Sequence, residues 1–168
     1  PTVPAGLTLV GVGPGDPELL TLAAVRAIEQ ADVVATPVAR EGSASMAATI
    51  ASHCISTKQR LLPLLFPMVS AARPRREAWH LAADALAAEV KAGQAVVLLC
   101  EGDASLFATG SYVLLALQQR HPDCPPRVIP GITAISAAAA SAGWPLALQQ
   151  DQLLVMPCPE TPDALTGL

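Results

Sequence analysis

An open α/β domain, built on a mostly parallel five-stranded sheet with helices on both faces, is the fold this chain predicts. Three observations carry the prediction. Short apolar runs alternate with longer segments of helical periodicity, the clearest run is apolar on both faces, and Gly- and Pro-rich loops follow several of the runs. A length of 168 residues allows one ordinary domain and the beginning of another. Apolar residues make up 52% but aromatics only 3%, so the core must be built mainly from Ala, Val and Leu. That suits close helix-on-sheet packing and excludes disorder.

The first strand is expected at residues 7–12, an apolar run stopped by a Gly/Pro cluster. A helix should follow from Leu19 to Ala31, with Leu20, Leu22, Ala23, Val25, Ala27 and Ile28 on its apolar face and Pro17 and Glu18 at its start. The second strand is placed at 33–36 and is ended by Pro37. A helix around Ala44 to Ser52 leads to a third strand at 60–65, where Pro63 demands an edge or a bulge. The strongest helical pattern runs from Arg75 to Ala92 and stops at Gly93. Val96 to Leu99, within a fourth strand at 96–100, is apolar on both faces and should be central in a parallel sheet. A helix from Ser111 to Arg120, a Pro-rich turn, a fifth strand at 127–130 and a helix from Thr133 to Ala142 complete the pattern. Gly143-Trp-Pro145 then marks a boundary. Residues 1–143 are expected to form the first domain, and 144–168 to open a second α/β domain with a strand at Leu153 to Met156.

Mean hydropathy is +0.44, yet the longest aliphatic run, Ala95 to Cys100, falls far short of the ~20 residues that span a bilayer. No basic stretch followed by an apolar one opens the sequence, so neither a membrane partner nor a secretory signal is expected. A net charge of -4 argues against nucleic acid as a partner. Six of the ten basic residues (Arg40, Lys58, Arg60, Arg73, Arg75 and Arg76) nevertheless lie between positions 40 and 76, opposed only by Glu41. A solvated surface accounts for any one of them; as a cluster they suit docking of an anionic small molecule. Cys54, Cys100, Cys124 and Cys158 form no C-x-x-C pair, which points to reduced thiols in a cytoplasmic protein and to no metal.

In sheets of this kind ligands bind beyond the carboxyl ends of the strands. Three of those ends carry distinctive loops: Gly11-Val-Gly-Pro-Gly-Asp-Pro17, Glu101-Gly-Asp-Ala-Ser-Leu106 and Pro130-Gly-Ile-Thr-Ala134. The first is not a dinucleotide fingerprint, because Gly11, Gly13 and Gly15 are evenly spaced and the second strand ends in Thr36, not an acid. Without a Lys-Ser/Thr pair it is not a P-loop either. It offers bare backbone beside a ligand, or else a tight turn. In the second loop Glu101 and Asp103 are costly at a sheet edge unless they reach water or bind a cation, a ribose diol or an amino group. In the third, Thr133 is placed to cap a helix.

Residues 11–22 resemble the opening motif of the tetrapyrrole (corrin/porphyrin) methylases. Leu99-Cys-Glu-Gly-Asp103 resembles their second motif and Ile129-Pro-Gly-Ile-Thr-Ala134 their third. Three motifs in order make the resemblance specific, and it covers nearly the whole chain. Leu64-Leu-Phe-Pro-Met68 and Cys100-Glu-Gly-Asp103 look most like the precorrin-2 C20-methyltransferases of cobalamin synthesis. Two departures stand out. Ala104 replaces the usual proline, and Ser105-Leu-Phe-Ala-Thr-Gly110 replaces the usual continuation toward a Tyr-Gly pair.

The resemblance implies an S-adenosylmethionine-dependent C-methyltransferase with S-adenosylhomocysteine as product, acting as a homodimer on a reduced tetrapyrrole. It places the cofactor against Pro14, Glu101, Gly102, Asp103, Leu106, Thr133 and Ala134; the substrate is expected against Arg40, a basic residue just beyond a strand end, and against Tyr112, which lies slightly beyond the place of the usual Tyr-Gly pair. It leaves the catalytic base unassigned, since His53, His80 and His121 sit in no motif. Family members run well beyond position 168 with their cofactor cleft between two domains, so part of that cleft is expected to lie outside this stretch. Another corrin methylase, a diphthine synthase, an rRNA ribose methyltransferase or a non-catalytic ligand-binding domain are the alternatives. The sequence pI near 5.2 weighs against the RNA enzyme.

Overall fold

A computed structural model describes residues 4–157 and Thr161. Within them the strands are β1 (Gly6–Gly11), β2 (Val33–Val38), β3 (Arg60–Leu65), β4 (Ala95–Cys100) and β5 (Arg127–Ile129). All pair in parallel, in the order β3-β2-β4-β1-β5, which puts β4 at the centre as its two apolar faces require. The helices are α1 (Leu22–Gln30), α2 (Met46–Ile50), α3 (Ala72–Lys91), α4 (Thr109–Arg120) and α5 (Ala134–Ala142), with 3-10 turns at Pro17–Leu19 and Ser52–Cys54. None is long and apolar enough to cross a membrane.

Strand alternation divides the core into two layers. Val96, Leu98 and Cys100 of β4 pack with Leu9, with Ala83 and Leu86 of α3 and with Val113 and Leu117 of α4. Val97 and Leu99 face the other way, onto Val10, Ala24 and Ile28 of α1 and Ala47 and Ile50 of α2. Alanines at the helix contacts let backbones approach closely, so a core almost without aromatics fills its space.

Both strand prolines fall where a missing N–H costs nothing. Arg60 and Phe66 donate to Asp32 and Val38 of the β2 segment, so by alternation the nitrogen of Pro63 faces the open edge of the sheet. Pro37 does not end β2, which continues to Val38. Its nitrogen points toward β4, and β4 has already parted from β2 after Ala35. Helix starts also differ from expectation. The Thr21 hydroxyl accepts the Ala24 N–H (3.1 Å), so α1 begins at Leu22 and the preceding residues form a separate turn. Ser45 caps α2 through the Ala48 N–H (3.3 Å), and α2 gives way to a 3-10 turn after Ile50. In α3, Pro74 lies in the first turn, where no intrahelical donor is needed, so the helix begins at Ala72 and runs through it.

Residues up to Ala134 form one compact unit and those from Ile135 another. In the second, residues 151–157 carry no regular structure, so the strand expected at 153–156 is absent. A strand needs a ladder, and no other strand is present among the described residues of that unit. Cys54, Cys100 and Cys124 are buried free thiols, whereas Cys158 and part of the 144–168 segment lie outside the described residues.

Candidate functional site

The centre of the site follows from where the chain leaves β4. After β1 and β2 it passes to the α1 and α2 face; after β4 it passes to α4 on the opposite face. β4 is therefore flanked on both sides by strands that exit the other way, and a crevice opens at each junction. The β1 crevice is bridged. Gly13 and Gly102 exchange backbone hydrogen bonds of 3.1 and 2.8 Å, and the Val12 N–H donates to the Cys100 carbonyl (2.9 Å). The β2 crevice stays open as a cleft of about 310 Å³, with Val38, Ala39, Phe66, Glu101 and Phe107 on its walls.

Asp103 ties the loops together. One carboxylate oxygen accepts the Gly131 N–H (2.8 Å), and the other accepts both the Ser105 N–H (2.8 Å) and the Ser105 hydroxyl. Burial alone would raise its pKa. The Ser105 hydroxyl and the amides of Gly131 and Ser105 outweigh that and hold the carboxyl below the ordinary aspartate range. The carboxylate therefore draws its hydrogen bonds from the protein's own amides and hydroxyl rather than from water. Glu101 differs: it is exposed and stands on the open cleft.

The glycines fall into two kinds. Gly11 and Gly131 close against each other, and a β-carbon at 131 would lie 2.1 Å from the Gly102 carbonyl oxygen. Gly102 (φ +63°) and Gly15 (φ +147°) instead face open space. A β-carbon at either would meet nothing within 4 Å, which leaves room in these loops for main-chain contact with an adenosyl-type cofactor.

The family model for tetrapyrrole (corrin/porphyrin) methylases matches residues 6–167. The chain belongs to this family. It is 33% identical over 154 residues to the cobalt-precorrin-2 C(20)-methyltransferase of Salmonella typhimurium, covering 90% of this chain and 63% of that protein. To the precorrin-2 C(20)-methyltransferase of a Sinorhizobium species it is 36% identical over 156 residues, covering 88% and 62%. The chain thus spans a little under two thirds of the curated relatives it matches. Among solved structures, uroporphyrin III C-methyl transferase from Thermus thermophilus superposes with a TM-score of 0.58 at 28% identity, over 86% of this chain and 54% of that one. A cobalt precorrin-4 methyltransferase shares the fold, with a TM-score of 0.62 at 22% identity over 93% and 61%.

In this tetrapyrrole methylase the remaining sequence-predicted residues are spread along the carboxyl edge of the sheet. Pro14 is half-buried in the β1 loop, Leu106 donates weakly to the Asp103 carbonyl (3.4 Å), and Thr133 and Ala134 stand where β5 hands over to α5. Arg40 is exposed just beyond β2, in a turn closed by Ser43, whose hydroxyl donates to the Arg40 carbonyl (2.7 Å). Tyr112, on α4, is not among the strand-end loops; it stacks on Trp79 of α3 with ring centroids 4.2 Å apart.

Two arginines of the basic segment are paired with neighbouring carboxylates. Arg60 lies at the start of β3, the far end of the sheet, and pairs with Glu89, while Arg73 pairs with Glu77. His121 bonds Asp84 (2.7 Å), which also holds Arg120, and neither His53 nor His80 stands on the open cleft. Sequence reasoning missed Ser105, Gly131 and the aromatic walls. The Asp-x-Ser spacing at 103–105 was the available signal for the first, since a carboxylate readily accepts from the amide two residues on.

Proposed function

We propose that this chain carries the methyl-donor half of an S-adenosylmethionine-dependent C-methyltransferase that acts on precorrin-2 at C20 in cobalamin synthesis. The observation that carries it is the interlocking of the three motif loops, Gly13 onto Gly102 and Asp103 onto Gly131, which leaves the Gly102 backbone open toward a ligand. Its likeness to the two C(20)-methyltransferases supports the choice of substrate.

S-adenosylmethionine, when bound, supplies a methyl group on a positively charged sulfur, already activated for transfer to a nucleophilic carbon. This chain's part is to bind and orient. Pro14, Gly102, Leu106, Thr133 and Ala134 line the approach with backbone and small groups, Asp103 fixes the loop that carries them, and Glu101 offers an exposed carboxylate to a diol or amino group. Since the electrophile is pre-activated, positioning of this kind can supply up to ~7–11 kcal/mol. Arg40 and Tyr112 belong to the tetrapyrrole side. The reading includes a cytoplasmic homodimer without a nucleic-acid partner, consistent with the charge of -4.

Calorimetric titration with S-adenosylhomocysteine, followed by turnover of precorrin-2 and of its cobalt complex by the full-length protein, tests the proposal. Saturable binding with methylation of either substrate is expected. Binding of the nucleoside without methylation of either would leave the family and remove the substrate.

A further inference from the structure

Ala104, in the loop after β4, is 2% exposed, yet it has no ring to fix its backbone as a proline would. Two serines hold the chain there instead. The Ser111 hydroxyl, in the first turn of α4, donates to the Ala104 carbonyl (3.0 Å). Ser105 acts on the residue before Ala104: its N–H and its hydroxyl both donate to one oxygen of the Asp103 carboxylate. Ser105 is exposed, so water alone would satisfy that hydroxyl, and still it turns inward. Pinning one oxygen with two donors fixes the plane of the carboxylate and aims the other oxygen at the Gly131 N–H (2.8 Å). Gly131 has no side chain of its own with which to hold that place. The titratable groups nearby are Cys100, its thiol pushed up to about 12 by burial and by the Asp103 charge, and the exposed Glu101. In the loop after β1, Asp16 accepts the Glu18 N–H (2.9 Å), and residues 130–134 and 109–111 carry no titratable side chain.

We propose that Ser105 is a positioning residue of the methyl-donor site: its hydroxyl orients the Asp103 carboxylate onto Gly131 and so holds Thr133 and Ala134 at the spacing a bound nucleoside needs. The inference rests on the S-adenosylmethionine reading and deepens it. Hydrogen bonds to an ionised acceptor are stronger than neutral ones, so a hydroxyl on a carboxylate constrains more than the same hydroxyl on a carbonyl. Ser111 supplies the weaker kind, through Ala104. The two serines are therefore separable, one acting through a titrating group and the other through backbone alone. Loss of the Ser105 hydroxyl removes a donor that holds the Asp103 carboxyl low. The carboxylate then becomes neutral at a higher pH and offers Gly131 a poorer acceptor.

The test uses the full-length protein, with aspartate labelled at its 13C carboxyl, and S-adenosylhomocysteine as the probe. The Asp103 signal is identified by its loss in Asp103→Asn. Ser105→Ala should move the titration of that signal to higher pH. It should also weaken S-adenosylhomocysteine binding about fivefold at pH 7, and further at pH 4. The nucleoside's own titration is common to both proteins and cancels in the ratio. Ser105→Thr, which keeps the hydroxyl, should restore both readouts. Ser111→Ala should weaken binding about twofold, equally at the two pH values, and leave the Asp103 titration in place. A Ser105→Ala protein that binds as wild type does, or whose loss of affinity is the same at both pH values, overturns the positioning role and leaves the S-adenosylmethionine reading standing. So does an Asp103 titration displaced as far by Ser111→Ala as by Ser105→Ala, since general loosening of the loop would account for both. Wild-type protein that fails to bind S-adenosylhomocysteine overturns that reading, and the proposal with it.

Discussion

Gly11 and Gly131 lie in such close apposition that neither position has room for a side chain: a β-carbon at 11 would fall 2.6 Å from the Gly131 nitrogen, and one at 131 would fall 2.8 Å from the Gly11 carbonyl carbon. The obstacle is backbone on both sides, so no rotamer change relieves it. Gly131→Ala should therefore push the β5 loop off the β1 loop, lower stability by about 1–3 kcal/mol and weaken S-adenosylhomocysteine binding. Gly6→Ala, where a β-carbon meets nothing within 4 Å, is the matched control. Calorimetry and thermal melts of both variants check this, and equal behaviour would contradict it.

Gly102→Val should abolish S-adenosylhomocysteine binding by filling the open space beside the Gly102 backbone. Its φ of +63° adds strain for any L side chain, about 1–2 kcal/mol, so the melting temperature should fall while the circular dichroism spectrum of the folded state is unchanged. An unchanged affinity would take the β4 loop out of the cofactor site.

Asp84 accepts from Arg120 at the end of α4 and from His121 just beyond it, and these hydrogen bonds lower its pKa from the ordinary 3.8 to about 2. A folded-state pKa below the unfolded one gives stability that is present at neutral pH and lost as pH falls from about 3.8 toward 2. Asp103 acts in the same direction. Asp84→Asn should therefore destabilise the protein at pH 7 more than at pH 3 in urea titrations. A gap between wild type and variant that does not narrow in acid would contradict this account.

Arg40→Ala should raise the KM for the tetrapyrrole more than the KM for S-adenosylmethionine, most clearly at low salt, because an exposed charge acts through screened attraction worth ~0–1 kcal/mol. Steady-state kinetics at two ionic strengths decides it. Equal effects on both substrates would return Arg40 to the ordinary surface.

Most of the fold was legible because period and punctuation agree. Val96 to Leu99, apolar on both faces, pointed to the centre, and Pro63 to an edge or a bulge, of which the structure takes the edge. Boundaries slipped where a single residue was read without its neighbours. Pro37 is harmless because β4 parts from β2 after Ala35, and Pro74 because a helix's first turn needs no donor. At the site, the loops were visible as glycine-rich strand ends, but their mutual contacts were not. That Asp103 serves Gly131, distant in sequence, depends on β4, β1 and β5 being neighbours, which no local pattern states. The aromatic walls of the open cleft were hidden for the same reason, since Phe66 and Phe107 come from segments distant in sequence.

The strand order also bears on how the chain is made. β1, residues 6–11, has β4 and β5 as its only neighbours, and β4 spans residues 95–100. During synthesis β2 and β3 can pair as soon as both have emerged, yet β1 must wait for the central strand to be delivered. Until then Leu9 and Val10, both fully buried in the finished sheet, have no ladder to join. Of the first three strands β1 is thus the last to find its ladder, and a holding chaperone that favours short aliphatic segments would meet it there.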